Sequence, residues 1–199
     1  GLAEIEPRLA PKTFTAFLSG RLSDDAAKIK QVHLGIAAFA KAHREARENS
    51  MPDGLCKQPN LLLRGVDFES PTTQLTQADP ETELKIFAEG YAACVINLHA
   101  MPYTHDRKEY YNDLRSASVA LMPSWHEGFG LAAWEAIAAG VPLIISKNSG
   151  VYRLLEEEFP GSGTGCVYPI EVAGKVDHPF FREEDLKSVV AALKNIAHK

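Results

Sequence analysis

At 199 residues the chain is long enough for one well-buried domain and short for two. A hydrophobic share of 45% beside 24% charged residues is ordinary for a globular protein, and no apolar run approaches the roughly 18 residues of a membrane-crossing helix. A formal charge of -5 argues against non-specific nucleic-acid binding, which draws on a basic face, yet leaves room for a small anion held by local cations. Cys56, Cys94 and Cys166 lie far apart without metal-ligand spacing, the pattern of reduced thiols in a cytoplasmic protein. The leading GLAEIEPRLAPK lacks the apolar core of a signal peptide. Residues 1–11 are expected to be a linker or residues added in cloning, and residues 12–199 a single domain.

In chain order, Lys12 to Gly20 reads as a buried strand entering a loop, and an amphipathic helix is expected from Ile29 to Glu48. Pro52, Gly54 and Pro59 mark a loop before a strand at Leu61–Leu63. Val66 to Pro80 has no regular period and is expected to be an exposed insertion. A helix over Glu81–Ala93 and a strand over Cys94–Leu98 come next, then a helix from Thr104 to Ala117 and a strand from Val119 to Pro123. Further elements are a helix over Gly128–Ala139, a strand over Pro142–Ser146, a helix over Gly150–Glu158, a strand over Gly165–Tyr168 and a helix over Glu183–His198. Alternating strands and helices predict an α/β protein with a parallel, doubly wound sheet. Ligands of such sheets bind beyond the carboxyl ends of the strands, so the loops after Ser19, Leu63, Leu98, Pro123 and Ser146 are expected to share one rim.

The stretch Met122 to Ser146, MPSWHEGFGLAAWEAIAAGVPLIIS, is the densest in chemistry. Glu127 stands just before a Gly128-Phe129-Gly130 turn, and Glu135 lies within a helix that is otherwise apolar and expected to be buried on most sides. A carboxylate there needs a partner, whether protein donors or the hydroxyls of a sugar or ribose. A glycine turn at a helix N-terminus adds free N–H groups and a positive dipole end suited to phosphate. The bland alternative is a helix-start acid at Glu127 and a salt bridge from Glu135 to an arginine.

PSWHEGFGLAAWEAIAAGVPLI resembles the E-x7-E signature of retaining GT-B glycosyltransferases of the family 4-like, group 1 type. The resemblance implies a Rossmann-like C-terminal half of a GT-B fold that binds a nucleoside diphosphate sugar, a UDP-sugar being the commonest guess. It implies that Glu135 holds the ribose hydroxyls and Glu127 the donor sugar. The amides of Gly128, Phe129, Gly130 and Leu131 would lie near diphosphate and sugar. Residues 20–39, GRLSDDAAKIKQVHLGIAAF, resemble the family segment that puts an arginine and a lysine on the diphosphate. Arg21 is the arginine; counting back from Ala38-Phe39 selects Lys30, with Lys28 as fallback. The loop is about two residues longer than usual, and Gln31 stands where a glycine often follows the lysine. Two fixed cations would stabilise the departing nucleotide.

Softer features are Asn97–Thr104 as the nucleobase loop, with Met101 or Tyr103 packing on the ring, and Ser149-Gly150 near the donor; ordinary loop packing and a plain turn are the alternatives. His126 reads as structural. GSGTG at 161–165 follows no buried strand and precedes no helix, so it is no dinucleotide fingerprint. No Asp-x-Asp motif is present, and no metal or cofactor is expected. The resemblance covers residues 12–198 and corresponds to half of a GT-B enzyme, whose N-terminal acceptor-binding domain would be the missing partner. Alone, this half is expected to bind donor without transferring sugar, because the cleft closes between two domains. The rival readings are a non-catalytic nucleotide-sugar sensing or assembly module, and a phosphorylase or epimerase of related fold.

Overall fold

The computed structural model describes residues 11–22, 28–51, 53–68, 79–160, 165–173 and 181–199. Among these, strands β1 (Thr15–Ser19), β2 (Asn60–Arg64), β3 (Asn97–Met101), β4 (Val119–Met122), β5 (Leu143–Ser146) and β6 (Val167–Ile170) form one parallel sheet of order β3-β2-β1-β4-β5-β6. The helices are α1 (Val32–Glu48), α2 (Pro80–Ala92), α3 (Arg107–Ser116), α4 (Leu131–Ala138), α5 (Gly150–Glu158) and α6 (Glu183–Ala197). This is the doubly wound α/β architecture that the alternation predicts.

Strand periodicity divides the core. β1 sends Ala16 and Leu18 to one face and Phe17 to the other; β4 does the same with Val119 and Leu121 against Ala120. The first face is covered by α1, α2 and α6, and the second by α3, α4 and α5. Helix α1 lies between α2 and α6, with Phe39, Leu34 and Ile36 fully buried. Each such side chain contributes on the order of 1.5–3 kcal/mol.

The strand order reverses direction between β1 and β4. The chain leaving β1 turns to α1 on one face, and the chain leaving β4 turns to α4 on the other. Their loops part, and a crevice opens at the carboxyl ends of these two strands.

Several boundaries differ from expectation. Helix α1 begins at Val32 rather than Ile29, because Gln31 takes a left-handed conformation (φ 54) that separates it from the helical residues 28–30. Strand β3 is Asn97–Met101, not Cys94–Leu98. It is an edge strand with exposed Asn97 and His99 alternating with buried Leu98, whereas Val95 of the apolar run is 80% exposed. The nucleobase loop expected at Asn97–Thr104 is therefore mostly strand, and the loop after it is Pro102–Asp106. Helix α3 begins at Arg107 because the Asp106 side chain caps it, accepting from Lys108 and Glu109 N–H groups. Val66, expected in an exposed insertion, is buried, with its N–H on the Met101 carbonyl. Residues 69–78 of that insertion, residues 161–164 of GSGTG and residues 1–10 of the expected leader lie outside the described residues.

The correction with most bearing on function concerns α4. Only Ala133 and Ala136 are buried, while Leu131 is 70% and Trp134 44% exposed. The helix sits at the rim of the crevice, where no described element covers its outer side.

Candidate functional site

The site is assembled from the two loops that flank the crevice. After β1, Gly20 (φ +148) passes its N–H to the Arg64 carbonyl, and Leu22 N–H bonds the Gly65 carbonyl. Gly65 (φ +104) is required by this approach, since a Cβ there would lie 1.8 Å from the Gly20 carbonyl oxygen. The Lys30 stem lies against Gly20, and its ammonium is ion-paired to Glu127 from the far side of the crevice. Ser124 Oγ donates to the same carboxylate oxygen at 3.4 Å.

The loop carrying Glu127 is braced on both flanks. Trp125 N–H bonds the Ile29 carbonyl, and the Asn148 amide donates to the Trp125 and Val172 carbonyls. The first two N–H groups of α5, from Gly150 and Val151, donate to the carbonyls of Gly128 and Phe129 at 2.8 Å. A Cβ on Gly150 would lie 2.2 Å from the Gly128 oxygen. Ser149 and Gly150 thus support the Glu127 loop, Ser149 by capping α5 through Tyr152 N–H. Gly130 (φ 93) opens α4, and its carbonyl accepts from Ala133 and Trp134, leaving Leu131 and Ala132 in the first turn facing the crevice.

A cavity of about 320 Å³ occupies the crevice. Ser19, Gly20 and Arg64 line it from the strand ends, and Leu131, Ala132 and Glu135 from α4. Tyr103, Thr104, His105, Arg107 and Tyr110 close it on the side of the 102–106 loop and α3. Glu135 is 17% exposed and accepts a hydrogen bond from Arg107 at 2.8 Å, so its partner is an exposed arginine at the cavity mouth rather than one in the core. That carboxylate raises the Arg107 pKa above its ordinary value, and the guanidinium also lies over the Tyr111 ring at 5.7 Å. Burial pushes the Tyr110 phenol far up; the Ser19 hydroxyl opposes this and the Glu135 charge adds to it. Tyr110 is accordingly a neutral hydroxyl.

Arg64, 6% exposed, is the anchor of the loop side. Its guanidinium meets Asp113 and Glu109 of α3 and donates to the Pro102 carbonyl at 3.2 Å. The Thr104 hydroxyl, then Arg64, hold the Glu109 carboxyl below its ordinary value. One buried cation therefore ties the 102–106 loop to β2 and α3.

Of the sequence-derived residues, Lys30 and Glu127 meet directly, and Glu135 and Leu131 line the cavity. Arg21 is exposed and lines an adjoining cavity of about 800 Å³, which shares Tyr103 and His105 with the first. Lys28 is exposed two positions before Lys30. Arg64, Arg107 and Tyr110 were not singled out from sequence. The arginine ending the apolar run Leu61–Leu63 was a usable signal for Arg64; Arg107 had none, because its partner lies 28 residues away.

The chain is similar to known proteins in family and in fold. A family model described as family 4 glycosyltransferase in conflict systems matches residues 2–199. The chain belongs to that family. This family 4 glycosyltransferase chain is 36% identical over 63 residues to an uncharacterized glycosyltransferase of Methanocaldococcus jannaschii, covering 32% of this chain and 16% of that protein. It is 42% identical over 53 residues to the GDP-mannose-dependent alpha-(1-6)-phosphatidylinositol dimannoside mannosyltransferase of Mycobacterium tuberculosis, covering 27% and 14%. Among solved structures, the sucrose-phosphate synthase of Thermosynechococcus elongatus superposes with a TM-score of 0.59 at 20% identity, covering 96% of this chain and 38% of that one. The fold is thus that of one part of a GT-B glycosyltransferase, and the family 4 chain spans well under half of these longer proteins.

Proposed function

We propose that this chain is the donor-binding domain of a retaining glycosyltransferase, holding a nucleoside diphosphate sugar for transfer to an acceptor hydroxyl. The observation that carries the reading is the crevice itself: the Lys30–Glu127 pair spans its two loops, and Glu135 stands in the wall of the adjoining cavity. Glu135, which also meets Arg107 and the Tyr110 hydroxyl, takes the ribose hydroxyls. The 102–106 loop, fixed by Arg64, receives the base.

Lys30 and Arg21 face the diphosphate, and Glu127 faces the sugar, held by the Lys30 ammonium and the Ser124 hydroxyl. The first turn of α4 adds amides and a positive dipole end. As the sugar–phosphate bond breaks, charge grows on the diphosphate, and preorganised cations lower that barrier. Exclusion of water requires a second wall, which an N-terminal acceptor-binding domain would supply. The exposed apolar side chains Phe129, Leu131 and Trp134 at the rim support an additional covering domain.

Titration calorimetry with UDP-, GDP- and ADP-sugars tests the reading, the GDP series being prompted by the mycobacterial relative's name. At least one should bind the chain, and Glu135→Ala should weaken that donor. Indifference of the chain and of a longer parent to the whole panel would transfer the weight to a sensing or assembly role.

A further inference from the structure

Gln31, which follows the helical residues 28–30, combines three costly features. It is a non-glycine residue in the left-handed region (φ 54, ψ 47), it is 3% exposed, and its Oε1 is buried without a partner among the described residues. Left-handed backbone is strained for any side-chain-bearing residue, and a buried orphan acceptor adds to the cost. Such strain persists where the surroundings impose it, commonly beside a binding site. Here it falls between Lys30 and α1.

We propose that Gln31 is a positioning residue that presents Lys30, rather than Lys28, to the ligand in the crevice. This rests on the donor-site reading above. The left-handed step turns the chain between the helical turn at residues 28–30 and α1. The Gln31 side chain then reaches back, Nε2 donating to the Lys28 carbonyl at 2.6 Å, and closes that turn. The Ile29 carbonyl is pinned to Trp125 N–H at 2.9 Å, so the turn is anchored to the Glu127 loop as well. With both ties made, the Lys30 stem lies along Gly20, and its ammonium meets Glu127 across the crevice. Lys28 stays at the exposed surface. A glycine at position 31 would satisfy the backbone but could not tie the turn.

Two variants separate these roles. Gln31→Gly relieves the backbone and removes the tether; Gln31→Ala keeps the strain and removes the tether. The melting temperature should rise by about 3 °C in the glycine variant and fall in the alanine variant. Affinity for GDP, UDP or ADP, whichever the wild type binds, should drop about tenfold in both. A readout without nucleotide is acetic anhydride labelling followed by mass spectrometry. Lys30 should react more slowly in the wild type than in either variant.

A glycine variant that is more stable, with unchanged labelling and unchanged nucleotide affinity, overturns the proposal and leaves the donor site standing. Failure of the wild-type chain and of a longer parent to bind GDP, UDP or ADP overturns the donor site, and with it the purpose assigned to Gln31, even where Lys30 labelling responds to the variants.

Discussion

Helix α1 carries Lys41, Arg44, Glu45, Arg47 and Glu48, yet buries eleven of its 17 residues. Helix α4 holds one charged residue, Glu135, and buries only Ala133 and Ala136. The charges of α1 are confined to its last turns, so its first turns are enclosed between α2 and α6. The apolar residues of α4 surround the helix, and the sheet can cover one side only. The other side, with Leu131, Trp134 and nearby Phe129, is left at the crevice rim. Composition measures the apolar surface a helix has; the neighbours available decide how much is covered. An excess left at the mouth of a cavity is a surface with a use.

The sharpest break of this contrast would come from stability. Phe39→Ala in α1, where the ring is fully buried, should cost about 3–5 kcal/mol in urea or thermal unfolding. Trp134→Ala in α4 should cost under about 1.5 kcal/mol, since the ring is partly exposed and its aromatic neighbour Phe129 is exposed too. Equal costs would mean that α4 is covered in the free protein, contrary to the contrast drawn.

In ligand binding the order should invert. Glu135→Ala is expected to lower nucleotide-sugar affinity about 10- to 100-fold by calorimetry, while the melting temperature barely moves, because its partner Arg107 is largely exposed. A large loss of stability with unchanged affinity would make Glu135 a structural acid. Arg107→Ala should have a smaller effect, about a threefold loss of affinity that shrinks further at high salt. Affinity insensitive to this change would remove Arg107 from the cavity mouth as a working group.

The smallest expected effect is at the sheet edge. Lys85, then the Ala100 N–H, hold the Glu81 carboxyl below its ordinary value of 4.5. A lowered folded-state value means that this contribution is present above the ordinary value and lost as pH falls through the folded one. Glu81→Gln should lower the melting temperature slightly at neutral pH and flatten its decline below about pH 4.5, variant and wild type converging in acid. An unchanged acid limb would remove Glu81 as a pin of β3.

Much of the fold was legible because its signals are local. The apolar runs of β1, β4 and β5 are buried on both faces and that of β2 nearly so, and buried strands look alike wherever they occur. Strand β3 was misplaced by three residues because an edge strand alternates exposure, so the apolar Cys94-Val95-Ile96 outweighed the true pattern. Helix starts drifted where a cap or a left-handed residue decided them, as at Asp106 and Gln31. In the site, Glu127 and Glu135 stood out by their flanking residues. Arg64 and Tyr110 gain their places only through contacts with α3 and Ser19, distant in the chain.

By itself, then, the sequence determined the alternation of elements, the parallel class of the sheet and the two acids after β4, because periodicity and turn chemistry act over a few neighbouring residues. The tertiary structure alone decided that Lys30 meets Glu127, that Arg107 meets Glu135 and that one side of α4 remains open. Those outcomes depend on which loops the reversal of strand order sets face to face, and no short-range pattern records that.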